Sequence, residues 1–102
     1  MAIVAQFSFD VPFGKKSELL ALAQKWRSFA QELGFPKGLV LVGSIGAPES
    51  RFVEQYRFEN LAALEAVFAK LNHPRMAEFQ QAMAPLVVSG SHRWEIYRIV
   101  EE

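Results

Sequence analysis

The residue pattern predicts an α+β domain in which a four-stranded antiparallel sheet carries its helices on one face. Three observations predict it. Stretches with a period of two and stretches with a period of three to four follow one another as strand, helix, strand, strand, helix, strand. Each predicted strand has one firmly apolar face and one mixed face. With 102 residues, 51% of them hydrophobic, the chain can fill one core but not two.

The first strand covers residues 3 to 11, where Ile3, Ala5, Phe7, Phe9 and Val11 alternate with Val4, Gln6, Ser8 and Asp10. Pro12 and Gly14 then punctuate the chain. From Lys15 to Leu33 the period lengthens, and Leu19, Leu22, Ala23, Trp26, Phe29, Ala30 and Leu33 form one broad stripe. Gly34 follows at the place of a left-handed C-terminal cap. Gly38 to Ile45 reads as a short β-branched strand, Gly46 to Ser50 as a turn, and Arg51 to Phe58 as the strand that completes a hairpin. On this third strand Phe52, Tyr56 and Phe58 share a face with Glu54 among them, while Val53, Gln55 and Arg57 share the other.

Asn60 is a good N-cap for a helix from Leu61 to Leu71. The chain breaks at Asn72-His73-Pro74, and Pro74 suits the first turn of a new helix running to about Ala84. There Met76, Phe79 and Met83 are expected to bury the inner face, and His73 to cap backbone N–H groups. Pro85 and Gly90 close this region, and His92 to Val100 forms the last strand. Two β-α-β halves with right-handed crossovers give a ferredoxin-like β-α-β-β-α-β sheet, one domain over residues 1–102.

Helices on one face leave the other face bare. It should carry Val4, Gln6, Ser8, Val53, Gln55 and Arg57, together with either Val40 and Val42 or Leu39 and Leu41. That mixture is too apolar for full wetting and too polar for a dry core. A second copy is therefore expected to cover it, forming a homodimer with a cavity enclosed by two sheets.

Several local strings carry a family resemblance. Val53-Glu54-Gln55-Tyr56-Arg57-Phe58-Glu59-Asn60-Leu61 resembles the aromatic strand-to-helix passage of NIPSNAP-type and antibiotic-biosynthesis-monooxygenase-type domains. Glu78-Phe79-Gln80-Gln81-Ala82-Met83-Ala84-Pro85-Leu86-Val87-Val88-Ser89 is similar to the NIPSNAP helix that ends in a proline and a short apolar segment. Val11-Pro12-Phe13-Gly14-Lys15-Lys16-Ser17-Glu18-Leu19 resembles the exit from the first strand in such domains. The resemblance covers essentially the whole chain and implies a dimeric α/β barrel. Its implied activities include cofactor-free oxygenation of polyphenols, haem degradation and polyketide cyclisation. His73-Pro74 matches the start of the His-Pro-x-His string of the stress-responsive barrel group, but Met76 stands where its second histidine belongs. Trp26 and Trp94 do not occupy the place of the tryptophan used by haem-degrading relatives.

Other chemistry is excluded by composition and spacing. Eleven acidic and eleven basic residues balance, so no net field favours nucleic acid or a membrane surface. The basic, aromatic pattern of RNA-stacking sheets is missing. No cysteine is present, which removes disulfides, thiolate catalysis and Cys-ligated metal. His92 and Glu95 are close in sequence but fall on opposite faces of a strand, so no metal site is expected. No Gly-x-Ser-x-Gly elbow or threonine occurs, and Gly43-Ser44-Ile45-Gly46 is a turn, not a phosphate loop. The start, Met1-Ala2-Ile3-Val4-Ala5-Gln6-Phe7, lacks a basic signal-peptide region and no membrane-length apolar run follows, pointing to the cytoplasm.

The remaining candidates are the polar groups of the bare face. Arg57 could polarise an enolate or phenolate and Gln55 could orient a carbonyl, with Gln6, Ser8 and Tyr97 contributing to ligand binding, and His92, on the face of Trp94 and Ile96, reaching the barrel mouth. Arg93 and Glu95 share Tyr97's face of the last strand; a plain cross-strand ion pair between Arg57 and Glu95 is the alternative. The expected function is binding of a small hydrophobic, oxygen-bearing ligand in the barrel cavity, between sheet and helices. Chemistry without a cofactor, either oxygenation or isomerisation, would suit these groups. The competing expectation is a non-enzymatic dimeric binding or assembly module.

Overall fold

The computed structural model describes residues 1–102. Its elements are β1 (Ile3–Asp10), α1 (Lys16–Leu33), β2 (Leu39–Val42), β3 (Arg51–Phe58), α2 (Leu61–Ala69), α3 (Pro74–Met83), a 3-10 turn (Ala84–Leu86) and β4 (Arg93–Arg98). The strands form one sheet in the order β2-β3-β1-β4, every neighbouring pair antiparallel. This is the ferredoxin-like α+β arrangement expected from the order of elements.

Local chemistry sets most boundaries. Gly34 ends α1 with φ 105°, a left-handed conformation that costs glycine little, and Phe35 N–H donates to the Ala30 carbonyl at 2.9 Å. The Asn60 side chain accepts from Ala63 N–H at 2.9 Å and starts α2. His73 does the same for α3, its Nδ1 accepting from Arg75 N–H at 3.1 Å, and Pro74 fills the first turn.

Three elements end two residues or more short of expectation. β2 stops at Val42 because Gly43 is pressed against the following loop; a Cβ there would lie 1.6 Å from the Pro48 carbonyl oxygen. α2 ends at Ala69 because Lys70 and Leu71 close tight turns onto Val67 and Phe68. β4 is confined to Arg93–Arg98, the length of its pairing with β1.

Register fixes which side chains share a row. Val40, Glu54, Phe7 and Trp94 cross the inner face side by side, and Tyr56, Ala5 and Ile96 form the next row. The core is double. Ile3, Ala5, Ala30, Phe35, Tyr56, Phe58, Leu64 and Val67 pack under α2 and the end of α1. Phe9, Val11, Leu19, Ala23, Phe52 and Leu86 pack under the start of α1. Each buried Phe or Leu contributes roughly 1.5–3 kcal/mol from apolar burial.

One packing expectation is corrected. No residue of α3 is buried. Met76, Phe79 and Met83 point inward but are only half-buried: all three line an open space, and of the three Met83 alone packs against the core, beside the Phe9 and Phe52 cluster. α3 is held by α1: Phe79 stacks on Phe29 at 5.3 Å and meets Trp26 edge-on at 5.6 Å.

Candidate functional site

The space beneath α3 is a cavity of about 480 Å³ between the sheet and the helices. It has the size of a small-molecule site. Phe7, Phe52 and Trp94 form its sheet side, Leu19, Ala23 and Trp26 its α1 side, and Leu71, Met76, Phe79 and Met83 its roof. Of 16 lining residues 13 are hydrophobic; the polar side chains are Glu54, Gln80 and His92. Such a wall favours an apolar body and leaves a few polar groups to orient it.

Glu54 is the unusual member. It is 4% exposed, on an otherwise apolar face of β3, and no cationic side chain lies within ion-pair distance. Tyr56 Oη, two residues along the same face, donates a hydrogen bond to Glu54 Oε2. Trp26 Nε1–H in turn donates to Tyr56 Oη at 3.2 Å. The phenol is thus committed on both sides, and its proton is directed at the carboxylate.

The Tyr56 ring is gripped as well. Phe35 meets it edge-on at 5.3 Å, and a Cβ on Gly38 would come within 2.6 Å of its Cε1. Burial raises the Glu54 pKa, opposed by the Tyr56 hydrogen bond and by the Arg27 charge. Burial, followed by the Glu54 charge and hydrogen bond, also pushes the Tyr56 phenol upward. Arg27 itself has a buried Nη1 with no hydrogen-bond partner.

The residues singled out from the sequence divide between the two faces. Among them only His92 reaches the cavity wall. Gln6, Ser8, Gln55, Arg57 and Tyr97 lie on the opposite face, where Leu39, Gln55, Gln6 and Glu95 make one row, Leu41, Val53, Ser8 and Arg93 another, and Arg57, Val4 and Tyr97 a third. Leu39 and Leu41, and not Val40 and Val42, therefore join the bare face. Gln55 Nε2 donates to Gln6 Oε1 at 2.9 Å. Ser8 is buried between its neighbours Val53 and Arg93.

Arg57 is ion-paired, though not to Glu95 as the alternative expectation had it. It binds Glu102 at 2.8 Å and Glu59 at 2.6 Å, and the hydrogen bonds to Glu102 and then Glu59 raise its pKa. Glu95 instead accepts from Tyr97 Oη at 3.4 Å. Arg57 binds the C-terminal residue because that segment returns beside β1, with Ile99 N–H donating to the Ala2 carbonyl. No three His, Asp or Glu side chains converge in a metal-holding group. No helix is long and apolar enough to cross a membrane.

Glu54 stands on the aromatic face of β3, outside the set of candidates drawn from the sequence. The usable signal was an acid flanked at two-residue spacing by Phe52 and Tyr56, which places a carboxyl where water is scarce. Trp26 read only as core, because its distance from Tyr56 is set by the docking of α1.

No protein-family model matches the chain, and no curated protein matches it in sequence. Solved structures do match in shape. An uncharacterised NIPSNAP-like domain protein from Burkholderia xenovorans aligns with a TM-score of 0.80 at 19% identity, over 97% of this chain and 85% of its own. A NIPSNAP family protein from Agrobacterium tumefaciens aligns with a TM-score of 0.76 at 22% identity, over 96% of this chain and 92% of its own. SnoaB, a cofactor-independent oxygenase from Streptomyces nogalater, aligns with a TM-score of 0.74 at 14% identity, over 99% and 95%. The chain therefore has the fold that NIPSNAP proteins share with antibiotic-biosynthesis-monooxygenase-like oxygenases, as the strings quoted from its sequence suggested.

Proposed function

We propose that this protein binds a small, apolar, oxygen-bearing molecule in the cavity between sheet and helices, and that its chemistry there is of the cofactor-free kind, oxygenation or proton transfer. The observation that carries this reading is the cavity wall: an apolar surround with one buried carboxyl, an amide and an imidazole. The likeness in fold to a cofactor-independent oxygenase supports it. Trp26 and Trp94 both line the cavity, so ligand entry is readable as quenching of tryptophan fluorescence.

The test compares 2-naphthol with 2-methylnaphthalene, two flat molecules that differ in one hydroxyl. Saturable quenching is expected with both, with the naphthol about tenfold tighter through its added hydrogen bond. Met76→Phe, at a roof position outside both core clusters, and Met83→Phe add bulk to the cavity and should weaken both probes. Equal binding by the filled variants, or no saturable binding, overturns the assignment.

We also infer that the bare sheet face meets a second copy of the chain. Leu39, Leu41 and Tyr97 are exposed there at 57%, 40% and 50%, and a chain of zero net charge does not repel its twin. Gln55 already donates to Gln6, which meets part of the cost of removing that face from water. Sedimentation equilibrium at micromolar concentration should give a dimer, and Leu41→Lys a monomer. A monomeric parent protein would sink this part.

A further inference from the structure

Glu54 is held in the cavity floor by one oxygen only. Oε2 accepts from Tyr56, whereas Oε1 has no partner in the protein and is not sealed off, so it opens on the cavity. The consequence is the same in either protonation state. An ionised Oε1 lacks a donor; a protonated one carries a hydrogen with no acceptor. In a residue only 4% exposed, an oxygen left this way takes its hydrogen-bond partner from what fills the cavity.

A structural role explains this arrangement poorly. A carboxyl retained for stability would be paired with a cation or hydrogen-bonded through both oxygens. Glu54 has neither, yet it is positioned with care. Trp26 orients Tyr56, Tyr56 orients the carboxyl, and Gly38 leaves the ring the room it needs. This is the construction of a group kept in one orientation toward a reacting atom.

From this placement we propose that Glu54 Oε1 is the proton-transfer group of the site, acting on the carbon next to the carbonyl of an apolar, enolisable ketone. The inference rests on the cavity being the ligand site. The carboxylate takes the α-proton: the C–H bond breaks, an O–H bond forms on Oε1, the C–H electron pair becomes the enolate double bond, and the carbonyl pair moves onto oxygen. Return of the proton to the same or a conjugated carbon restores the carbonyl and the carboxylate. Nothing is oxidised or reduced, and no co-reactant is required. Gln80 and His92 offer N–H groups on the same cavity wall for the ketone oxygen. Tyr56 and Trp26 are positioning residues, since each spends its only donor hydrogen within the Trp26–Tyr56–Glu54 chain.

The experiment follows hydrogen–deuterium exchange at the α-carbon of 2-tetralone in D₂O by NMR, with tryptophan quenching as a parallel measure of binding. The parent protein should accelerate exchange, with a rate that rises as Glu54 ionises above the ordinary carboxylate range, where burial outweighs the Tyr56 hydrogen bond and the Arg27 charge. Glu54→Gln should bind the probe but lose about 100-fold or more of the acceleration. Tyr56→Phe should retain exchange with its ionisation displaced further upward, because the hydrogen bond that favours the carboxylate is gone. Binding without accelerated exchange by the parent protein overturns this proposal and leaves the ligand site standing. Absence of binding removes both. Exchange in Glu54→Gln equal to the parent rate also overturns it. Should Glu54→Gln misfold, Met83→Phe serves: exchange that survives a filled cavity rules out Glu54 as its source.

Discussion

Tyr56 donates its phenolic hydrogen to Glu54, two residues earlier on the same face of β3, and both side chains are shielded from bulk water. The pair joins the apolar core on one side to the cavity on the other. Its behaviour with pH and mutation is therefore a direct probe of the site.

Stability should fall as pH rises because of Glu54. Burial raises its folded-state pKa above that of the unfolded chain, so the native state holds the proton more tightly. The stabilising contribution is complete below about pH 4.3, the unfolded value. It is lost as pH climbs through the folded-state value. Glu54→Gln removes this dependence and should raise the melting temperature at pH 8 by about 4–8 °C for each 1 kcal/mol recovered. Thermal melts of both proteins from pH 4 to 8 check it; parallel curves would contradict the raised pKa.

Tyr56→Phe should destabilise the fold by about 1–3 kcal/mol at neutral pH, since it strands both the Glu54 carboxylate and Trp26 Nε1–H. Urea denaturation measures this. In a double-mutant cycle with Glu54→Gln the loss should shrink, because the pair shares one hydrogen bond.

Gly43→Ala should be among the most damaging single substitutions in the chain. Its Cβ would lie 1.6 Å from the Pro48 carbonyl oxygen, which belongs to the backbone and cannot swing aside. Gly43 N–H also donates to the Arg51 carbonyl at 2.9 Å, closing the β2–β3 loop. A cost of about 3 kcal/mol or more is expected, read from the denaturation midpoint. Gly46→Ala, with open space around it but a positive φ of 84°, should cost less.

Arg57→Ala should leave probe binding in the cavity unchanged. The guanidinium is on the opposite sheet face, tied to Glu59 and Glu102 in solvent. Exposed pairs of this kind carry little stability. Fluorescence titration with 2-naphthol decides the point, and a large loss of affinity would return attention to the bare face.

Much of this molecule was legible in the residues themselves. The boundaries at Gly34, Asn60 and Pro74 followed from local chemistry, and the two faces of β1 and β3 from alternation. The candidate site was less so. Gln55 and Arg57 are conspicuous as polar groups on a mixed face, while Glu54 stands among aromatics that mark its face as core. Met76, Phe79 and Met83 showed the period of a buried stripe, and periodicity reports which way side chains point, not how far away the facing surface lies.

Sequence alone determined the order of elements, the caps and the side of the sheet on which each strand residue falls, because these depend on contacts between near neighbours and on the two backbone periods. Tertiary structure decided the rest. The docking of α1 brings Trp26 to Tyr56, 30 positions away, and the seating of α3 on α1 leaves a cavity between most of its apolar face and the sheet. Both depend on how helices pack over a twisted sheet, a long-range matter of shape that no window of residues contains. The cavity, and the carboxyl that faces it, exist because of that packing.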